Sequence, residues 1–273
     1  MLFEDMINTI QLGDCYELIK YIPDKSIDCV YIDIPYLYQQ GGSGNSELGE
    51  RTAKKRLELM GAKKLYEENK NKTKGESLRI AKNKIKQNLD FISIEDGIDY
   101  SIFEELCRVM KKINIFIWCS KLQINDIMNY FLNKNCYFEI LTWCKTNPTP
   151  TTNNSWLPDI EYCLYFREQG VIYNDGYDLK SKYYVSPANI NDKKHFNHPT
   201  IKPLGLVERH IKHTTKENDI VLDCFCGSGT TCVASKNTNR KYIGIEINKE
   251  YYEIAVKRIN NEDANGQISL FTI

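Results

Sequence analysis

The chain has 273 residues, enough for one large α/β domain or for a domain carrying one insertion. It is 42% apolar and 26% charged, the composition of a soluble globular protein, with no apolar run long enough to span a membrane. The net charge is zero but uneven: residues 51–87 hold thirteen Lys and Arg against four Glu, so that segment carries +9 and the remainder −9.

Read from the N-terminus, the opening residues carry acids where a secretory leader would carry lysines, and they lack an apolar stretch. A cytoplasmic protein is expected. Short apolar, β-branched or aromatic runs then recur at Thr9–Leu12, Ile27–Ile32, Ile113–Cys119, Phe138–Trp143, Ile160–Phe166, Ile220–Leu222 and Tyr242–Ile245. Most have the length of a buried strand. Helical spacing lies between several of them, at Phe103, Leu106, Cys107 and Met110 and again at Leu204, Val207 and Ile211, where Pro203 suits a first helical position. A last helix is expected to start at an Asn248 cap and to bury Tyr252, Ala255 and Ile259. Strands alternating with helices predict a mostly parallel sheet with helices on both faces and ligands at the strand C-termini.

Two stretches break the alternation. Residues 37–98 open on a flexible glycine-rich hinge and continue as the basic segment; residues 167–197 are polar and tyrosine-rich, with no clear period. The end, 260–273, is a mostly polar tail. The ten cysteines are scattered, several within strands, and contain no C-x-x-C pair. Cys224 and Cys226 have no second pair to complete a zinc site, so reduced thiols and no metal are expected.

Two motifs at strand ends carry chemistry. In Val221 to Thr231 an apolar strand ends in Asp223, runs through Cys224-Phe225-Cys226-Gly227-Ser228-Gly229, and opens a helix at Thr230. About twenty residues on, the next strand delivers Glu246, near the spacing of a nucleotide-binding βαβ unit in which glycines admit a ligand and an acid accepts from ribose hydroxyls. The second motif, Asp33-Ile34-Pro35-Tyr36, also ends a strand. A carboxylate, backbone carbonyls and an aromatic ring can grip an exocyclic amino group while the ring stacks on its base.

Asp33-Ile34-Pro35-Tyr36 resembles the Asp-Pro-Pro-Tyr signature of amino-group DNA methyltransferases, and the glycine turn resembles their S-adenosylmethionine loop. The catalytic motif precedes the cofactor loop, as in the permuted β-group. Gly13-Asp14, Ser26-Ile27-Asp28, Arg108-Val109-Met110-Lys111, Trp143-Cys144-Lys145-Thr146-Asn147-Pro148 and His198-Pro199-Thr200-Ile201-Lys202-Pro203 match further family landmarks in order. The resemblance implies a seven-stranded, mostly parallel, doubly wound methyltransferase sheet occupying 1–273 as a single domain. It implies that Asp33 and the backbone around Ile34 and Pro35 bind the target amino group and that Tyr36 stacks on the flipped base. Asp223, Phe225, Gly227, Gly229 and Thr230 would form the cofactor loop, Glu246 would hold the ribose, Asp14 would lie near the adenine end, and Thr200 and Lys202 would hold the methionine carboxylate. Ile34 departs from the family's proline, and Cys224 from another.

An aspartate at the first motif position points to N6 of adenine, with N4 of cytosine or a catalytically weak or inactive DNA-binding relative as alternatives. The resemblance implies double-stranded DNA as the partner, with the target base flipped out. Residues 167–197 are the candidate target-recognition segment, and Lys54, Lys55, Arg56, Lys63 and Lys64 in the 37–98 insertion are candidate phosphate contacts. Gln267 to Phe271 resembles the peptide by which bacterial replication proteins dock on the sliding clamp. Dimers are common in the β-group, so a homodimer is a further expectation, as is a bacterial or phage-encoded source in a restriction-modification setting.

Overall fold

In a computed structural model of the protein, the described residues are 1–37, 98–148, 150, 156–171, 173–174, 176–188 and 201–260. The chain divides into two compact units, Met1–Ile34 with Asp99–Ile273, and Pro35–Ile98. The candidate phosphate contacts Lys54 to Lys64, Thr200, the region 189–197 and the tail peptide Gln267–Phe271 lie outside the described residues.

The first unit is built on eight strands: β1 (Thr9–Leu12), β2 (Cys29–Asp33), β3 (Asn114–Cys119), β4 (Tyr137–Lys145), β5 (Ile160–Arg167), β6 (Tyr183–Ser186), β7 (Ile220–Asp223) and β8 (Lys241–Glu246). Their order is β1-β8-β7-β2-β3-β5-β4-β6. Only β5 runs against the rest, pairing antiparallel with β3 and β4. Seven of these strands are those expected from the apolar runs. The eighth, β6, extends the sheet beyond β4. Its alternating half-buried pattern and four-residue length suit a polar edge strand and gave no continuous apolar run.

Helices cover both faces. α1 (Phe3–Met6) and α2 (Cys15–Leu18) are short, and α3 (Ile102–Val109) and α4 (Ile124–Leu132) follow the second unit. α5 (Leu204–Thr214), α6 (Thr230–Asn237) and α7 (Lys249–Ile259) complete the set among the described residues. Strand side chains alternate between faces, and this period sorts the core. Cys29, Tyr31, Phe116, Trp118, Leu141, Trp143, Cys163 and Tyr165 share one face with Leu206, Val207 and Ile211 of α5. On the opposite face Phe131 of α4 stacks on Phe166 at 4.6 Å and meets Phe103 of α3 at 5.2 Å. Pro203 precedes α5 rather than beginning it, while Asn248 caps α7 as expected, accepting from the Glu250 and Tyr251 amides. All ten cysteines are free thiols.

β2 and β7 are neighbours, yet the chain leaves β2 toward β3 and leaves β7 toward β8. Strand order therefore reverses between them. Such a switch point opens a crevice at the strand C-termini, and here those termini are Asp33 and Asp223.

Candidate active site

Asp33 is the last residue of β2 and lies level with Trp118 of β3. The next residue, Ile34, is buried, and its amide donates to the Trp118 carbonyl at 3.2 Å. A proline there could not make this bond. The backbone that the family stiffens with a ring is held here by a cross-strand hydrogen bond. Pro35 and Tyr36 follow directly in the chain and open the second unit.

The Asp33 carboxylate is met by Lys202, whose Nζ lies 2.6 Å from Oδ2. The same ammonium is 3.0 Å from Oε2 of Glu161, and the Lys145 ammonium is 2.6 Å from Oε1 of that residue. Lys202 crosses the Trp118 ring at 5.1 Å and is 7% exposed. Burial pulls its pKa down, but the Asp33 and Glu161 carboxylates more than offset that and raise it. Burial would raise Glu161, yet Lys202 and Lys145 hold it down at about 2. Lys202 was expected on a cofactor carboxylate; in the structure its ammonium sits on two carboxylates of the protein.

The glycine turn is tightly determined. Gly227 and Gly229 have φ of 52° and 80°, in the left-handed region. Phe225 N donates to Asp223 Oδ1 at 3.0 Å and Gly229 N to the Cys226 carbonyl at 2.7 Å. A Cβ on Gly229 would stand 2.9 Å from Cβ of Ala255 in α7, so only glycine lets the two segments approach. Glu246, at the end of β8, accepts from Gly227 N and from Asn248 N, each at 2.8 Å. Arg258 of α7 donates to the Ser228 carbonyl at 2.7 Å, to the Ser228 hydroxyl at 2.9 Å and to the Thr230 hydroxyl at 3.1 Å. Asp14 is exposed and caps α2 through the Tyr16 amide, while its neighbour Gly13 donates to the Glu246 carbonyl at 2.9 Å.

Asp33, Asp223 and Glu246 thus end three adjacent parallel strands, β2, β7 and β8. Burial pushes Asp223 up to about 7, with Asp33 and Glu246 adding to the effect, and it raises Glu246 as well. A crevice with these acids at the strand ends, bordered by a glycine turn, suits a positively charged nucleoside ligand. Glu161 and Arg258 were missed in the sequence. Arg258 reads as an ordinary basic residue in a last helical turn. Glu161 had one signal, an acid near the start of a run, Tyr162 to Phe166, that is otherwise aromatic and apolar.

Comparison with known proteins agrees with this geometry. Residues 27–257 match the family model for DNA methylase of the N6/N4 class. The type II methyltransferase M2.LlaDCHI of Lactococcus lactis subsp. cremoris is 31% identical over 271 residues, spanning 93% of this chain and 90% of the relative. Among solved structures, the complex of M1.HpyAVI with SAM matches with a TM-score of 0.61 at 25% identity, covering 92% of this chain and 98% of that one. The PvuII cytosine-N4-specific DNA methyltransferase also has a TM-score of 0.61, at 14% identity over 91% of this chain and 85% of its own, and supports the fold.

Proposed function

The chain belongs to the N6/N4 amino-group DNA methylase family, and from that premise we propose that it transfers a methyl group from S-adenosylmethionine to the exocyclic N6 of a flipped adenine in double-stranded DNA. The observation that carries the reading is the convergence of Asp33 with Asp223, the glycine turn and Glu246 at the switch point of the sheet.

S-adenosylmethionine supplies an electrophilic methyl on a sulfonium centre. By the family resemblance Asp223, Phe225, Gly227 and Gly229 would shape its loop, Glu246 would accept from the ribose, Thr230 and Thr200 would serve the methionine part, and Asp14 would serve the adenine end. A permanently cationic ligand fits acids whose ionisation is resisted by burial. The amino nitrogen of adenine is a poor nucleophile because its lone pair is delocalised into the ring. Asp33 and a backbone carbonyl near Pro35 accept its two N–H groups, favouring a more pyramidal nitrogen, while Tyr36 stacks on the base. Position and electrostatics, rather than a covalent intermediate, then lower the barrier. The aspartate at position 33 favours adenine over cytosine.

Two further parts of the reading rest on sequence. The basic insertion, with Lys54, Lys55, Arg56, Lys63 and Lys64, clamps phosphates, and 167–197 contributes to target recognition. Gln267–Phe271 docks on a sliding clamp; a labelled tail peptide that shows no rise in fluorescence polarisation with clamp removes that partner. A cytoplasmic protein, bacterial or phage-encoded, with a modification role is part of the same reading, and the bacterial type II relatives support it.

The test is incorporation of a labelled methyl group into mixed-sequence DNA, followed by mild acid, which releases purines and leaves pyrimidines on the backbone. Label in the released fraction is expected for the wild type and absent for Asp33→Ala, with cofactor binding retained in both. Label remaining on the backbone would overturn adenine in favour of cytosine, and no label at all would favour the inactive DNA-binding relative.

A further inference from the structure

The charged groups around Asp33 form a row of alternating sign. Lys145 ends β4, Glu161 stands near the start of β5, Lys202 lies just before α5, and Asp33 ends β2. Because β5 runs against its neighbours, its N-terminal end reaches the sheet edge where β2 and β4 finish. Glu161 pairs with Trp143 across β4, and Asp33 lies level with Trp118. Side-chain alternation puts Asp33, Trp118, Glu161, Trp143 and Lys145 on the face covered by α5. Lys202 crosses Trp118 at 5.1 Å, and Lys145 lies over Trp143 at 5.2 Å, so aromatic rings floor both cations.

From this arrangement we infer that Glu161 is a positioning residue for the transfer site, acting on Asp33 through Lys202. The inference rests on the reading of Asp33 as the acceptor of the target amino group. Two effects follow from the contacts. Glu161 holds the Lys202 ammonium at 3.0 Å, and Lys202 in turn fixes Oδ2 of Asp33 at 2.6 Å, setting the aspartate rotamer. Glu161 also shares the lysine's charge. Asp33 is thereby not locked in an exclusive ion pair and stays a strong acceptor for the amino N–H. Lys145 anchors Glu161 from the far side at 2.6 Å, so the row is closed by a cation rather than by solvent. Burial of side chains only 7% to 19% exposed at Lys202, Glu161 and Lys145 keeps the geometry from being screened away.

The test uses Glu161→Gln, Glu161→Asp, Lys202→Met and the Glu161→Gln/Lys202→Met pair in the full chain. Single-turnover methyl transfer with saturating S-adenosylmethionine and DNA should slow about 10- to 100-fold in Glu161→Gln, the size of loss expected from a small misplacement of a reacting group. Dissociation constants for cofactor and DNA should stay within about twofold of wild type, because binding is not what the residue serves. Glu161→Asp, which keeps the charge, should recover part of the rate. In the Lys202→Met background the Glu161 substitution should add less than about twofold, since the two act in series.

A second readout needs no activity. The 15N resonance of the Lys202 ammonium, assigned by its loss in Lys202→Met, should be sharp in wild type and broadened in Glu161→Gln. A normal transfer rate in Glu161→Gln, or losses that multiply in the double variant, would overturn the inference. So would a raised cofactor dissociation constant with unchanged transfer at saturation, which would assign the row to cofactor binding. If the wild type transferred no methyl group to any DNA, the functional reading would fail, while the ammonium resonance would still decide whether Glu161 holds Lys202.

Discussion

Replacing Gly229 by alanine tests the glycine turn through two separable costs. The residue sits at φ 80°, and a Cβ there would lie 2.9 Å from Cβ and 3.3 Å from Cα of Ala255. An L-residue in the left-handed region costs roughly 1–2 kcal/mol. Forcing a methyl into the packed contact with α7 costs about 1–3 kcal/mol more. Together Gly229→Ala should lose about 2–5 kcal/mol, read as a lower urea midpoint at unchanged slope. The second cost depends on Ala255 and the first does not. Ala255→Gly alone should cost about 1 kcal/mol through helix propensity. In the double variant the Cβ–Cβ contact is gone, so the pair should be more stable than the sum of the single losses by about 1–3 kcal/mol. Gly229→Ala within about 0.5 kcal/mol of wild type, or additive losses in the pair, would show that the turn does not need glycine against Ala255.

Other consequences follow from buried charge and from the loops. Burial, helped by Arg209 and His213, pushes the buried His210 imidazole down to about 3, so between pH 6.5 and 3 the unfolded chain binds a proton that the folded chain refuses. Stability should therefore fall by about 1.4 kcal/mol per pH unit within that window from this group alone, and His210→Gln should flatten the decline in urea midpoints measured above pH 5. Asp223, raised to about 7 by burial, is neutral below that pH and charged above it. Affinity for the cationic cofactor should rise as pH increases through 7, and equilibrium dialysis should find the rise missing in Asp223→Asn. Ile34→Pro removes the amide that donates to the Trp118 carbonyl and exchanges a buried isoleucine side chain for a smaller ring, a loss larger than chain stiffening returns, so its thermal midpoint should fall below wild type. Reversing the charges of Lys54, Lys55, Arg56, Lys63 and Lys64 should weaken DNA binding and flatten its dependence on salt by up to about 4 in the log–log slope, with cofactor affinity unchanged. Equal loss of cofactor affinity would make that segment structural.

What the sequence disclosed divides along physical lines. Buried strands such as β3, whose six residues are all buried, announce themselves as continuous apolar runs. The acids Asp33, Asp223 and Glu246 were legible because each terminates such a run, where open α/β sheets bind ligands. β6 was not, since an edge strand with one solvated face pairs through its backbone and needs little apolar signal. Glu161 and Arg258 were hidden for a different reason. Their roles depend on register between segments distant in the chain: Glu161 meets Lys202 only because β5 is antiparallel, and Arg258 meets Ser228 and Thr230 only because α7 packs on the glycine turn. Ile34 shows the converse case, in which a departure from the family motif is compensated by a contact, to the Trp118 carbonyl, that no motif records.

Methyl transfer to the amino group of adenine is decided by the mass of the modified nucleoside. Mixed-sequence duplex DNA would be incubated with the protein and S-adenosylmethionine carrying a trideuterated methyl, digested to nucleosides and resolved by chromatography and mass spectrometry. Trideuterated N6-methyldeoxyadenosine is expected. Trideuterated N4-methyldeoxycytidine in its place, or no deuterated nucleoside from a protein that binds the cofactor, would contradict it.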